Sequence, residues 1–177
     1  MTTASWTLLG VAGLLAVGNW IAVAGQQKPL EYVCKPGTLA ALLGVALALD
    51  PTHGDTRAWF VVALVLSLAG DVFLMVPSDR FIAGLTAFLL AHVAYVMGLT
   101  QHGGSAGALL IAAIPVVVVA GALGARFLRA AGRAGQRELF GPLVAYMAVI
   151  AAMVTCALAS GIVLAGAGAV FFMAPTR

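Results

Sequence analysis

Seven runs of apolar residues, divided by spacers too short to hold a folded unit, restrict this chain to very few architectures. They extend from Ser5 to Ala24, Gly37 to Leu49, Ala58 to Val76, Phe81 to Leu99, Gly107 to Gly124, Leu139 to Leu158 and Gly161 to Met173. A helix needs roughly 20 apolar residues to cross the hydrocarbon core of a bilayer. The second and seventh runs fall short of that length. The second reaches it by starting at Tyr32, which puts "KPG" in its first turns, where proline is best tolerated. Composition agrees: the chain is 63% apolar and 8% charged, against about 25% charged for a soluble domain. The expected fold is an all-α, polytopic transmembrane helix bundle, a single domain over residues 1–177, in an integral, multi-pass membrane protein.

The basic residues test the number of spans, because alternate loops lie on opposite faces of the membrane. Lys28, Lys35, Arg80, Arg126, Arg129, Arg133, Arg137 and Arg177 fall in the first, third and fifth loops or at the C-terminus, whereas Arg57 alone falls on the other side. Lysine and arginine favour cytoplasmic loops, so the N-terminus is expected outside and the basic loops inside. The segment "RFLRAAGRAGQRE" reads as a basic cytoplasmic turn, with anionic lipid as its sharper assignment. The pI near 9.2 is explained by these loops and the lipid bilayer, and no nucleic-acid partner is expected. "AVAG" at 22–25 has the small-x-small look of a signal-peptidase site, but "MTTASW" lacks the basic stretch of a signal peptide, so the first run is read as a retained span. Cys34 and Cys156 suggest neither a disulfide framework nor a metal site. His53 and His102 lie in loops, and no histidine, cysteine or acid pair has ligand spacing, so no metal is expected. The chain has no internal repeat, and its 21 glycines suit close helix packing in lipid.

In this topology the polar residues inside the runs gather toward the cytoplasmic half. Asn19 lies near the end of the first run, Lys35 at the cytoplasmic start of the second, Asp71 near the end of the third, and Tyr146 about two turns into the sixth. His92 and Tyr95 lie deeper in the fourth, on a stripe with Phe81, Gly84, Leu85 and Phe88 at spacings of three and four. That stripe also serves plain packing, with His92 a core histidine bonded to a neighbour. Asp71 is the strongest signal, because an ionisable group inside a span is costly and usually faces the bundle interior or a water-filled cavity. Pairing with Lys35 to fix the packing is its bland explanation. Burial disfavours its charge and a nearby Lys35 favours it.

The stretches "KPG" at 35–37, "GDVFLM" at 70–75, "RFIAGLTAFLLAHVAYVMGL" at 80–99 and "PLVAYMAVIAAM" at 142–153 together resemble the YhhN/TMEM86 family of lysoplasmalogenases. The resemblance runs from about Lys35 to the end of the chain. It implies an enzyme of about eight transmembrane helices, in a bacterial cell membrane, that hydrolyses the vinyl-ether bond of lysoplasmalogens without a cofactor. The substrate would be a lysophospholipid, released as a fatty aldehyde and a glycerophospho-ethanolamine or -choline. Protonation of the vinyl β-carbon needs a general acid, a positioned water and negative charge near the cation. By the resemblance, Asp71 matches the first of two acidic positions in the family. His92, Tyr95 and Tyr146 are then expected to orient water or headgroup, Lys35 to hold the phosphate, and Asn19 to contact substrate.

The chain departs from the family at its other end. Members continue from a "GA-x-x-F" stretch into a Ser-Asp pair, whereas "GAVFFM" here runs into "APTR", with Ala174 and Pro175 near the expected second acid. One or more last spans are therefore expected to be missing. A lysolipid-binding or regulatory membrane protein is the alternative to the enzyme, and a proton-coupled carrier using Asp71 and His92 is the third class. The oligomeric state is not readable from the sequence.

Overall fold

The computed structural model describes residues 2–49, 54–76, 80–101, 105–135 and 137–161. They form an all-α chain: α1 Thr3–Ala24, α2 Lys28–Ala48, α3 Gly54–Met75, α4 Phe81–Thr100, α5 Ala106–Arg133 and α6 Phe140–Ala159, the last preceded by a single 3₁₀ turn at Arg137–Leu139. Among the described residues six helices are long and apolar enough to cross a membrane. The protein is an integral, multi-pass membrane protein. The seventh predicted run, beyond Gly161, lies outside the described residues, as do His53, His102 and Asp79.

The distribution of residues is that of a protein whose solvent is lipid. Leu14, Ile111, Ile114 and Val118 are exposed, while the buried set is dominated by small residues such as Ala12, Ala22, Ala63 and Ala91 and includes Ser5, Ser67, Asp71 and His92. Lipid tails are as apolar as leucine, so burying leucine gains little there, and helices associate through close backbone approach and polar contacts instead.

Local chemistry sets the helix ends. The Thr2 hydroxyl accepts from the Ser5 amide at 3.2 Å, which caps α1. Gln26 takes a left-handed φ of 54° directly after Gly25, and the chain then turns into α2 with Pro29 in its first turn. Ser105 caps α5 by accepting from Ala108 N at 3.1 Å, and Gly135, at φ +75°, follows its C-cap Ala134.

Two boundaries differ from the sequence reading. Helix α2 starts at Lys28, not at Gly37 or Tyr32, and absorbs Pro36. Lys35 is therefore two turns inside a helix and not in a loop. Pro36 cannot donate to the carbonyl one turn back, and nearby the Thr38 hydroxyl donates to Cys34 O at 2.7 Å; such side-chain bonds are among the means by which membrane helices accommodate proline. Helix α5 continues to Arg133 and not only to Gly124, so most of "RFLRAAGRAGQRE" is helix and the basic turn is confined to its end.

The chain divides into two compact units, residues 1–94 and 95–177, the boundary falling inside α4. In the first unit α1 and α2 run antiparallel. A Cβ on Gly37 would lie 3.3 Å from Leu15 Cδ1, one on Gly44 3.2 Å from Leu8 Cδ1, and one on Gly18 3.2 Å from Cys34 Sγ. At the far end the buried Ser5 hydroxyl donates to Ala48 O at 3.1 Å. Helix α3 returns along α2: Arg57 Nη1 donates to Leu49 O at 3.3 Å, and Lys35 meets Asp71. These two contacts are equally far apart on both helices, so one register is kept throughout. Helix α4 packs on α3 through Gly70 against Phe88 and Gly84 against Leu74, again an antiparallel step. In the second unit α5 packs on α6, with Phe140 against Gly132.

Candidate functional site

Asp71 lies in the last third of α3, one turn before Met75. Its neighbours Ser67 and Gly70 are also buried, so this face of α3 is turned into the unit. A carboxylate held there needs a partner, and Lys35 supplies it: Nζ stands 3.0 Å from Asp71 Oδ1. The pair is asymmetric, the Asp71 side chain being 4% exposed and that of Lys35 37%. The ammonium has three donors, and its exposed side can meet a second anion while the carboxylate stays enclosed.

Two further polar residues of the first unit lie near this level. By the α1–α2 register, Asn19 is displaced about 3 Å along the axis from the level of Lys35, beside the contact of Gly18 with Cys34. Its Oδ1 is buried and accepts no hydrogen bond among the described residues. A buried amide oxygen without a donor costs about 1–3 kcal/mol, so Asn19 is an acceptor waiting for a donor that these residues do not supply.

His92 is buried in α4. Its Nδ1–H donates to Phe88 O at 2.6 Å, so the proton on Nδ1 is tied to the backbone of its own helix. By the α3–α4 register it lies about 7.5 Å along the axis from the level of Asp71. Phe88 links the two: its ring covers Gly70, the residue before Asp71, and its carbonyl anchors the imidazole.

Of the six residues singled out from sequence, Lys35, Asp71, Asn19 and His92 therefore share the first unit, with Lys35 and Asp71 in direct contact. Tyr95 opens the second unit and Tyr146 lies within it, on α6; both are half-buried. The depth of Lys35 was the point sequence reasoning missed, because "KPG" resembles a loop. The spacing available was that Pro29 opens a helix long enough to span from Lys28. Among the described residues no group of three His, Cys, Asp or Glu side chains is arranged to hold a metal ion.

Lys35, Asp71 and His92 sit inside a stretch that matches a known family, and Asn19 precedes it. Residues 30–175 match the model of the YhhN family. Proteins named lysoplasmalogenase from Mycobacterium bovis and Mycobacterium tuberculosis are each 30% identical over 168 residues, covering 86% of this chain. The chain spans 62% of the length of these curated relatives. No solved structure matches it.

Proposed function

This chain belongs to the YhhN family, and from that premise we propose that it is a membrane hydrolase that cleaves the vinyl-ether bond of lysoplasmalogens in a bacterial cell membrane. The observation that carries the reading is the ion pair of an enclosed Asp71 with a half-exposed Lys35 at 3.0 Å. Asp71 lies four residues before the end of α3, about 6 Å along the axis. A lysolipid in a bilayer carries its ether bond at a similar depth, a few atoms below the phosphate.

In the reaction, a headgroup phosphate draws the Lys35 ammonium away from Asp71, and the enclosed carboxylate takes up a proton from water in its place. That proton passes to the vinyl β-carbon, so that positive charge spreads onto the α-carbon and ether oxygen. The carboxylate left behind stabilises that cation. Water adds to the α-carbon and returns its proton to Asp71. The hemiacetal then splits into the fatty aldehyde and the glycerol hydroxyl, so one water is consumed and the acid is regenerated. Lys35 attracts the headgroup phosphate with the donors that Asp71 does not use. Asn19 Oδ1 accepts from the free glycerol hydroxyl, which a lysolipid has and its two-chain parent lacks. His92, held by Phe88 O through Nδ1, orients water. The glycerophospho-ethanolamine or -choline leaves toward the aqueous face, which is the cytoplasmic one if the basic residues set the orientation.

The experiment is to incubate the purified chain with lysoplasmenyl-ethanolamine and to follow aldehyde release, with Asp71→Asn in parallel. Aldehyde from the wild type and little from the variant is expected. No aldehyde from the wild type, with the lysolipid still bound, would replace the enzyme by a lysolipid-binding protein. Equal rates would remove Asp71 from the chemistry.

A further inference from the structure

Helix α5 is 28 residues long, about 42 Å at 1.5 Å per residue, whereas the hydrocarbon core measures about 30 Å. Its first 20 residues, from Ala106 to Ala125, carry no charge and match that thickness. The first charged side chain, Arg126, stands where the hydrocarbon ends. Arg129 and Arg133 follow at spacings of three and four, so all three lie on one stripe of a continuous helix. Arg137 continues the series in the 3₁₀ turn after Gly135. All four are exposed, and among the described residues none of them is in an ion pair.

A topology signal requires only that positive charge lie on one side, in any arrangement. The extension of α5 does more. It holds three guanidinium groups as a ladder from the end of the apolar stretch outward, with Arg137 in the turn that follows, each able to grip a phosphate with two parallel hydrogen bonds. Phe127 is half exposed beside Arg126.

We propose that the C-terminal end of α5 and the 3₁₀ turn after it form a docking surface for acidic phospholipids, built by Arg126, Arg129, Arg133 and Arg137. The occupant is a lipid rather than a soluble polyanion, because the stripe starts at the edge of the hydrocarbon and continues the lipid-facing surface of the same helix. The surface lies wholly in the second unit.

The test uses the full chain in detergent, titrated with dioleoylphosphatidylglycerol or dioleoylphosphatidylcholine, with bound lipid counted by native mass spectrometry. The wild type is expected to prefer phosphatidylglycerol, and the preference to shrink as ionic strength rises. Removing arginines should weaken phosphatidylglycerol binding about fivefold each, so that R126Q/R129Q/R133Q/R137Q binds the two lipids alike. Arg133→Gln alone, at an exposed site, tests the same point with little risk to folding, and the four-lysine variant should keep most of the preference. Equal binding of both lipids by the wild type, or an unchanged preference in the glutamine variants, would overturn the proposal. Displacement of phosphatidylglycerol by an equal concentration of single-stranded RNA or inorganic phosphate would replace the lipid by a soluble anion.

Discussion

Lys35 and Asp71 face each other across the α2–α3 contact with Nζ 3.0 Å from Oδ1, and the two side chains differ in exposure, 37% against 4%. The acid is closed in and its counter-ion is open on one side. An arriving anion meets the lysine first, and the carboxylate keeps the position set by its own helix.

The pair should behave as a unit. Asp71→Asn is expected to reduce aldehyde release by about 10²- to 10⁴-fold. It should cost about 1–2 kcal/mol of stability, less than for a fully buried pair because Lys35 retains water. Lys35→Met should cost about 2–4 kcal/mol, since it leaves an enclosed carboxylate uncompensated. Unfolding in detergent of the two single variants and K35M/D71N completes the cycle. Costs that add to within about 0.5 kcal/mol would mean that the contact is not coupled.

Asn19→Leu removes a buried acceptor that has no donor among the described residues, so stability should stay level or rise by about 1 kcal/mol. Its cost should appear with substrate. The KM for lysoplasmenyl-ethanolamine should rise about 10- to 100-fold, and the preference over an analogue methylated on the free hydroxyl should vanish. Steady-state rates with the two lipids decide it. An unchanged preference would remove Asn19 from substrate recognition.

Packing beside the pair is tight. A Cβ on Gly70 would lie 2.8 Å from two ring carbons of Phe88, while one on Gly13 would meet nothing within 4 Å. Gly70→Ala should destabilise by about 1–3 kcal/mol and lower activity, because α4 must move away from α3 next to Asp71. Gly13→Ala should be neutral or slightly stabilising, from its higher helix propensity. Thermal unfolding of the two variants compares them directly, and similar midpoints would disprove the close approach.

Gln26 pays for its left-handed φ of 54° in the turn between α1 and α2, where glycine adopts that conformation without a Cβ clash. Gln26→Gly should therefore raise stability by about 0.5–1 kcal/mol, the relief exceeding the added freedom of the unfolded chain. A lower unfolding midpoint would show that the glutamine side chain contributes something at that turn.

Much of the site was legible along the chain because the physics behind it is one-dimensional. A carboxylate in an apolar run is costly wherever the run packs, so Asp71 stood out before any contact was known. His92 was harder to weigh. A core histidine tied to its own helix and a functional one share the same spacing, and the bond to Phe88 O emerges only with the helix built. Lys35 was misjudged in depth because proline and glycine are local breakers in water, whereas a membrane helix keeps going through them: every backbone group needs a partner where there is no water.

The amino-acid sequence by itself determined that the protein is helical and lives in the bilayer, since hydrophobic length and charge sparsity act residue by residue. It also determined which ionisable groups are too expensive to be incidental. Tertiary structure alone decided which of them meet. The registers of α1 on α2 and of α3 on α4 are set by glycines receiving Leu15, Leu8, Phe88 and Leu74, and that of α2 on α3 is marked by Arg57 at Leu49 O and Lys35 at Asp71; such fits depend on both partners at once. Together these registers bring Lys35 to Asp71 and leave the Asn19 oxygen without a donor among the described residues.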